Sequence, residues 1–184
     1  RIGRALGKGC KGFEFLNSQA NGAEQARNIM EADNQAGNVD GYIVYQMNCW
    51  NRVVQTVAAT GKPVLYADYQ FGGSGGFLVY NAAFLRNQTS NVGFVASSRT
   101  EDLVAAVKCF GIVKQGGSAA DFVTATAQLR GKGKDSASKA SVKPDDVNCL
   151  SPNECLAKLK ESKLLAVRSQ ESGPAGEIMG IKIQ

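Results

Sequence analysis

Apolar residues along the chain fall into two alternating rhythms: short runs of β type, and longer stretches at helical spacing. Residues 41–47 (GYIVYQM), 62–69 (KPVLYADY) and 91–96 (NVGFVA) are apolar, β-branched and aromatic, and each predicts a buried strand. Between the first two, Cys49 to Thr60 carries Trp50, Val53, Val54 and Val57 at helical spacing. Gly61 then sits where a helix C-cap glycine belongs, and Pro63 where a helix cannot continue. A helix over Gly76–Arg86 offers Phe77, Leu78, Phe84 and Leu85 as its apolar face.

Upstream, Asn21–Asp33 reads as a helix with Ala26, Ile29, Met30 and Asp33 on one side. Phe13–Leu16 reads as a further short strand, and the glycine-punctuated Arg1–Gly12 as a loop. Downstream, Glu101 and Asp102 place negative charge in the first turn of a helix whose stripe is Leu103, Val104, Val107 and Phe110. Gly116-Gly117 breaks that pattern, and Ser118 to Asp121 can open a helix running to about Arg130. Ser151-Pro152-Asn153-Glu154 is a capping box with proline at the first helical position. It predicts a short helix with Leu156 and Leu159 facing inward. Lys163–Val167 reads as a strand, Ser172-Gly173-Pro174 as a turn or brief helical segment, and Ile181–Gln184 as the start of another strand.

Such alternation predicts an α/β fold: a doubly wound, mainly parallel sheet with helices on both faces. A length of 184 residues suits one domain over 1–184. Both ends fall where neighbouring elements are expected, so the domain reads as part of a longer chain.

Composition changes this picture in three places. The net charge is +5, yet Arg130, Lys132, Lys134, Lys139 and Lys143, against Asp135, carry +4 of it in one Gly/Ser/Ala-rich stretch without aromatics. This predicts a mobile basic loop over 131–148 and no protein-wide nucleic-acid surface. No apolar run approaches the ~20 residues that span a bilayer, which predicts no membrane partner. Five scattered cysteines without a CxxC read as free thiols in a reducing, cytoplasmic setting.

Histidine is absent altogether. That removes Ser-His-Asp and Cys-His nucleophile arrangements and the commonest general base. Lys8 lies in GxxxGKG, which lacks the spacing and the Ser/Thr of a P-loop.

In open α/β sheets, ligands bind beyond the carboxyl ends of the strands. The candidate substrate-binding residues are therefore Gln46, Asn48 and Trp50 after the first core strand and Asp68 and Gln70 after the second. Amide hydrogen-bonders beside an apolar ring suit a sugar. The glycine cluster Gly72-Gly73-Ser74-Gly75-Gly76 is a candidate loop contact for a ligand or subunit. It fails the dinucleotide fingerprint, because the third glycine position holds Leu78. No catalytic or metal-ligating set emerges from these residues. A sugar- or small-molecule-binding module is one reading, and a nucleotide-using enzyme acting through the glycine loop a weaker one.

The two stretches DGYIVYQMNCWN and GKPVLYADYQFG, within Asp40–Asn51 and Lys62–Phe71, resemble the first domains of the L-fucose and L-arabinose isomerase-like proteins. The final run SKLLAVRSQESGPAGEIMGIKIQ is similar to that family's next strand–loop–helix–strand. The resemblance implies a Rossmann-like N-terminal domain that mediates homo-oligomer contacts and lends residues to a sugar pocket. It implies aldose–ketose isomerisation by the full-length protein, with manganese or another divalent metal held in a later domain. The domain is then not catalytic alone. On this resemblance Trp50 takes the place of the family's aromatic and Gln70 that of its glutamine. Asn48 and Asp68 stand where the family often has histidines.

Overall fold

A computed structural model describes residues 2–70, 72–131 and 149–163, and the backbone of 176–178 and 181–183. These fall into two compact units, residues 1–141 and 142–184.

In the first unit, β1 (Tyr42–Gln46), β2 (Val64–Asp68) and β3 (Val92–Val95) form a parallel sheet in that order. Tyr42 faces Val64, Gln46 faces Asp68, and Val64 faces Val92. The three expected buried runs thus become three neighbouring strands of a mixed α/β fold. Strand β2 lies between the other two, and Val64, Leu65, Tyr66 and Ala67 are all fully buried.

Alternation along β2 divides the core into two clusters. Leu65 and Ala67 pack with Leu6 of α1 (Ile2–Gly9), Leu103 and Val107 of α5 (Thr100–Lys108), and Phe122 of α7 (Ala119–Gly131). Val64 and Tyr66 pack with Met30 of α2 (Ala23–Ala36), Val54 and Val57 of α3 (Val53–Ala58), and Phe77 of α4 (Ser74–Arg86). A short α6 (Phe110–Lys114) follows α5, and its Phe110 ring stacks on Phe122 at 4.3 Å between centroids.

Two expectations at the start of the chain are corrected. Residues 2–9 are helical, not loop. A side chain at Gly9 would reach within 2.8 Å of the Val104 methyls, so this glycine serves close packing of α1 on α5 rather than a turn. Phe13–Leu16 joins no sheet; Phe13 and Phe15 instead pack against the first cluster. Helix α2 begins two residues later than expected and runs on to Ala36, where Gly37 at φ 66° closes it by donating to the Asp33 carbonyl.

In the second unit, α8 (Pro152–Glu161) opens with the expected capping box. The Glu154 amide donates to Ser151 Oγ at 3.3 Å, and the Ser151 amide to the Glu154 carboxylate at 2.8 Å. Leu156 and Leu159, expected inward, are 56 % and 69 % exposed. The expected terminal strand is β5 (Ile181–Ile183), paired antiparallel with β4 (Gly176–Ile178) rather than added to the parallel sheet. Gly131, expected to open the basic loop of 131–148, instead closes α7, and Lys163, expected to open a strand over 163–167, is not in one; the rest of both segments and the turn at 172–174 lie outside the described residues. Among the described residues, no helix is long and apolar enough to cross a membrane.

Candidate functional site

The parallel register of β1 and β2 brings two of the candidate residues side by side, since Gln46 pairs with Asp68. Asn48 and Gln70 follow two residues beyond each. The carboxyl ends of both strands therefore present the candidate polar groups at one rim of the sheet.

Gln46 is turned inward, only 2 % exposed. Its Nε2 donates to the Asn48 carbonyl at 2.6 Å, and its Oε1 accepts from the Tyr66 hydroxyl at 2.7 Å. Both ends of the amide are committed inside the protein. Gln46 thus shapes the turn after β1 instead of offering an open hydrogen-bonding group.

The turn itself is built from asparagines. Asn51 Nδ2 donates to Asn48 Oδ1 at 2.7 Å, and the Val53 amide donates to Asn51 Oδ1 at 3.1 Å, opening α3. Trp50 and Arg52 both take the left-handed conformation, at φ 63° and 57°. For non-glycine residues that conformation costs about 1–2 kcal/mol each. The helix expected from Cys49 therefore begins only at Val53. It also releases Trp50 from the apolar stripe that its spacing implied. The indole is 62 % exposed and meets the Tyr80 ring edge-on, 5.9 Å between centroids.

Asp68 is half-buried, and Ser74 Oγ donates to its Oδ1 at 3.0 Å and lies 3.2 Å from its Oδ2. Gln70 is exposed. Tyr69 and Tyr45 pack at 5.8 Å between centroids. Burial, then Tyr69 and Asp68 in turn, hold the Tyr45 phenol above its ordinary pKa.

The glycine cluster wraps over this turn. A Cβ on Gly73 would come within 2.8 Å of the Asn48 nitrogen, and one on Gly76 within 2.8 Å of Gln46 Nε2 and 3.0 Å of Cys49 Cα. Gly72 would sit 3.4 Å from the Met47 carbonyl, while Gly75 is exposed with only Cys49 Sγ near, at 4.0 Å. The close approach that these glycines permit is to the chain's own β1–α3 turn. Helix α4 starts inside the cluster, at Ser74. The Asp68 carboxylate, tied to Ser74 in the first turn of α4, opposes a phosphate there and counts against the nucleotide reading.

What remains open at the rim is an apolar ring pair, Trp50 and Tyr80, beside exposed Asn48 and Gln70. Tyr80 was not legible as a site residue; its only signal is an aromatic one turn into the helix after the glycine loop. Two hollows of the described residues, about 280 and 540 Å3, are lined by other residues. Asn48, Trp50 and Gln70 are all exposed, so the rim is open to solvent. Among the described residues, no group of three or more Cys, Asp or Glu could hold a metal ion.

Fold and rim together define an α/β protein with a parallel three-stranded sheet among its described residues. No protein-family model, no curated protein and no solved structure matches the sequence.

Proposed function

We propose that this chain is a sugar- or small-molecule-binding α/β module, Rossmann-like and doubly wound, whose ligand face is the rim at the carboxyl ends of β1 and β2. The observation that carries this reading is Trp50: a large apolar ring held 62 % exposed by a strained backbone, at a strand's carboxyl end. Strain of this kind persists where the surroundings over-determine it, and it clusters at ligand clamps. The Trp50 face can stack on the C–H face of a sugar ring, with the side chains of Asn48, Asp68 and Gln70 as hydrogen-bonders. Gln46 acts by fixing the turn that carries Trp50, Gly72, Gly73 and Gly76 by packing against that turn, and Ser74 and Gly75 by opening α4 beside it, with Ser74 bonded to Asp68.

Trp50 is the single tryptophan of the chain, so its emission reports on the rim directly. The test is a fluorescence and calorimetric titration with a panel of aldoses and ketoses against wild type, Trp50→Ala and Gln70→Ala. Saturable binding, weakened roughly fivefold or more by each change, is the expected result. Equal affinity in all three proteins would overturn the proposal.

The register of Gln46 against Asp68 also favours a narrower version of this reading. It places the two stretches that resemble the fucose/arabinose isomerase-like proteins on adjacent strand ends. The chain would then be the first, oligomerising domain of a metal-dependent aldose–ketose isomerase. The manganese of that reaction would have to be held by residues other than the described ones. Aldose–ketose conversion by the full gene product with added manganese tests it, and its failure leaves the binding titration informative.

A further inference from the structure

The smaller hollow, about 280 Å3, lies at the outer side of β3, where α4 and α7 approach it from the two faces of the sheet. Phe84, Leu85, Val92 and Val123 give it apolar walls. Gln88, Thr89, Ser90 and Thr124 add polar groups to its lining, and so do Asn81 from α4 and Arg130 from the last turn of α7.

Asn81 is only 8 % exposed and makes no side-chain hydrogen bond among the described residues, yet its amide is not sealed off as the Tyr42 hydroxyl and Gln55 Oε1 are; it lines the hollow. Arg130 is partly buried, and among the described residues no carboxylate pairs with it. Its guanidinium lies over the Phe94 ring, 3.6 Å from the centroid, and one Nη donates to the Phe94 carbonyl at 2.8 Å. That carbonyl points away from β2. Asn91 bonds inward, its carbonyl accepting from the Val64 amide, so Val92 and Phe94 face outward by alternation along the parallel ladder. Stacking and this bond fix the guanidinium plane, and among the described residues most of its five N–H donors stay unspent. Burial also holds Arg130 below its ordinary pKa.

An oriented guanidinium with no carboxylate partner among the described residues, beside an amide that lines the same partly apolar hollow, is the complement of an anion on a hydrophobic body. We propose that this hollow binds a small organic carboxylate with an aromatic or aliphatic body. The carboxylate would accept from Arg130, and Asn81 would complete its hydrogen bonds. This site is separate from the strand-end rim, so either can fail without the other.

Benzoate is the probe and benzamide its neutral control, titrated by calorimetry against the whole chain. Saturable benzoate binding is expected, with benzamide roughly tenfold weaker or worse. Arg130→Met keeps most of the side-chain volume and removes the charge; it should weaken benzoate at least about tenfold and leave benzamide unchanged. Asn81→Asp puts a carboxylate into the same hollow and should abolish benzoate binding while the fold, checked by circular dichroism, persists. It keeps the test decisive if Arg130→Met does not fold. Absence of saturable benzoate binding, or benzoate binding that Asn81→Asp leaves intact, would overturn the proposal.

Discussion

The Tyr66 hydroxyl donates to Gln46 Oε1 across 2.7 Å, joining the middle of β2 to the end of β1 inside the core. Tyr66 is fully buried, and Gln46 spends its other end on the Asn48 carbonyl. Removing the hydroxyl leaves a buried acceptor unsatisfied, which costs about 1–3 kcal/mol. Tyr66→Phe is therefore expected to lower the unfolding free energy by that amount, read as a lower urea midpoint. In a double-mutant cycle with Gln46→Leu, the two losses should sum to more than the double variant shows. Strict additivity would mean that the bond does not form.

Glycines 73 and 75 are two residues apart and should respond in opposite directions. Gly73 stands at φ +86°, and a side chain there would meet the Asn48 backbone at 2.8 Å. Gly73→Ala is expected to destabilise by about 1–3 kcal/mol, from left-handed strain and a clash with rigid backbone. Gly75 lies in the first turn of α4 with open space around it. Gly75→Ala is expected to stabilise by up to about 1 kcal/mol through helix propensity. Thermal melts of the pair check this, and a shared sign would refute the packing role assigned to Gly73.

The strands were legible because each is a short, two-sided apolar run, and β2 shows this most fully with its four buried residues Val64 to Ala67. Parity along β1 puts Gln46 on the same side as Tyr42 and Val44. What no local pattern disclosed is that the Tyr66 hydroxyl, twenty residues away, awaits it there. Trp50 misled for a related reason. Its spacing to Val53, Val54 and Val57 is helical, but the Asn48–Asn51 bonds and two left-handed residues delay the helix until Val53. Helix α1 was missed because Gly9 reads as punctuation until Val104, 95 positions on, is seen to need its space. The hollow beside β3 joins Asn81 to Arg130 through tertiary packing alone, beyond the reach of spacing or composition.

Helix α4 ends in a Schellman turn that lacks its glycine. The Thr89 amide donates to the Phe84 carbonyl at 3.0 Å and the Gln88 amide to the Leu85 carbonyl at 3.2 Å, with Gln88 at φ 49°. Glycine is the usual residue at that left-handed position. Gln88→Gly is expected to raise stability by about 0.5–1 kcal/mol, the relief of strain outweighing the added unfolded-chain entropy. A higher urea midpoint at unchanged slope is the predicted readout; a lower midpoint would show that Gln88 is not strained.

Alkaline stability should depend most on the two tyrosines raised furthest, Tyr42 and Tyr66. Burial, then the nearby Asp33 carboxylate, pushes Tyr42 from 10.0 up to about 12. The Tyr42 hydroxyl is buried and makes no hydrogen bond of acceptable geometry, so we assign the shift chiefly to burial. Burial foremost, then Tyr80, Asp68 and Cys49, raises Tyr66 as well. In both cases the neutral form is favoured in the folded state. The stability this contributes is fully present below the unfolded value near 10 and is lost as pH rises toward and through 12. Tyrosinate absorbance should therefore develop in two phases, with Tyr42 and Tyr66 ionising together with loss of the helical circular dichroism signal. Tyr42→Phe cannot ionise and should move the alkaline unfolding midpoint upward, whereas a midpoint left in place would exclude Tyr42 as a trigger.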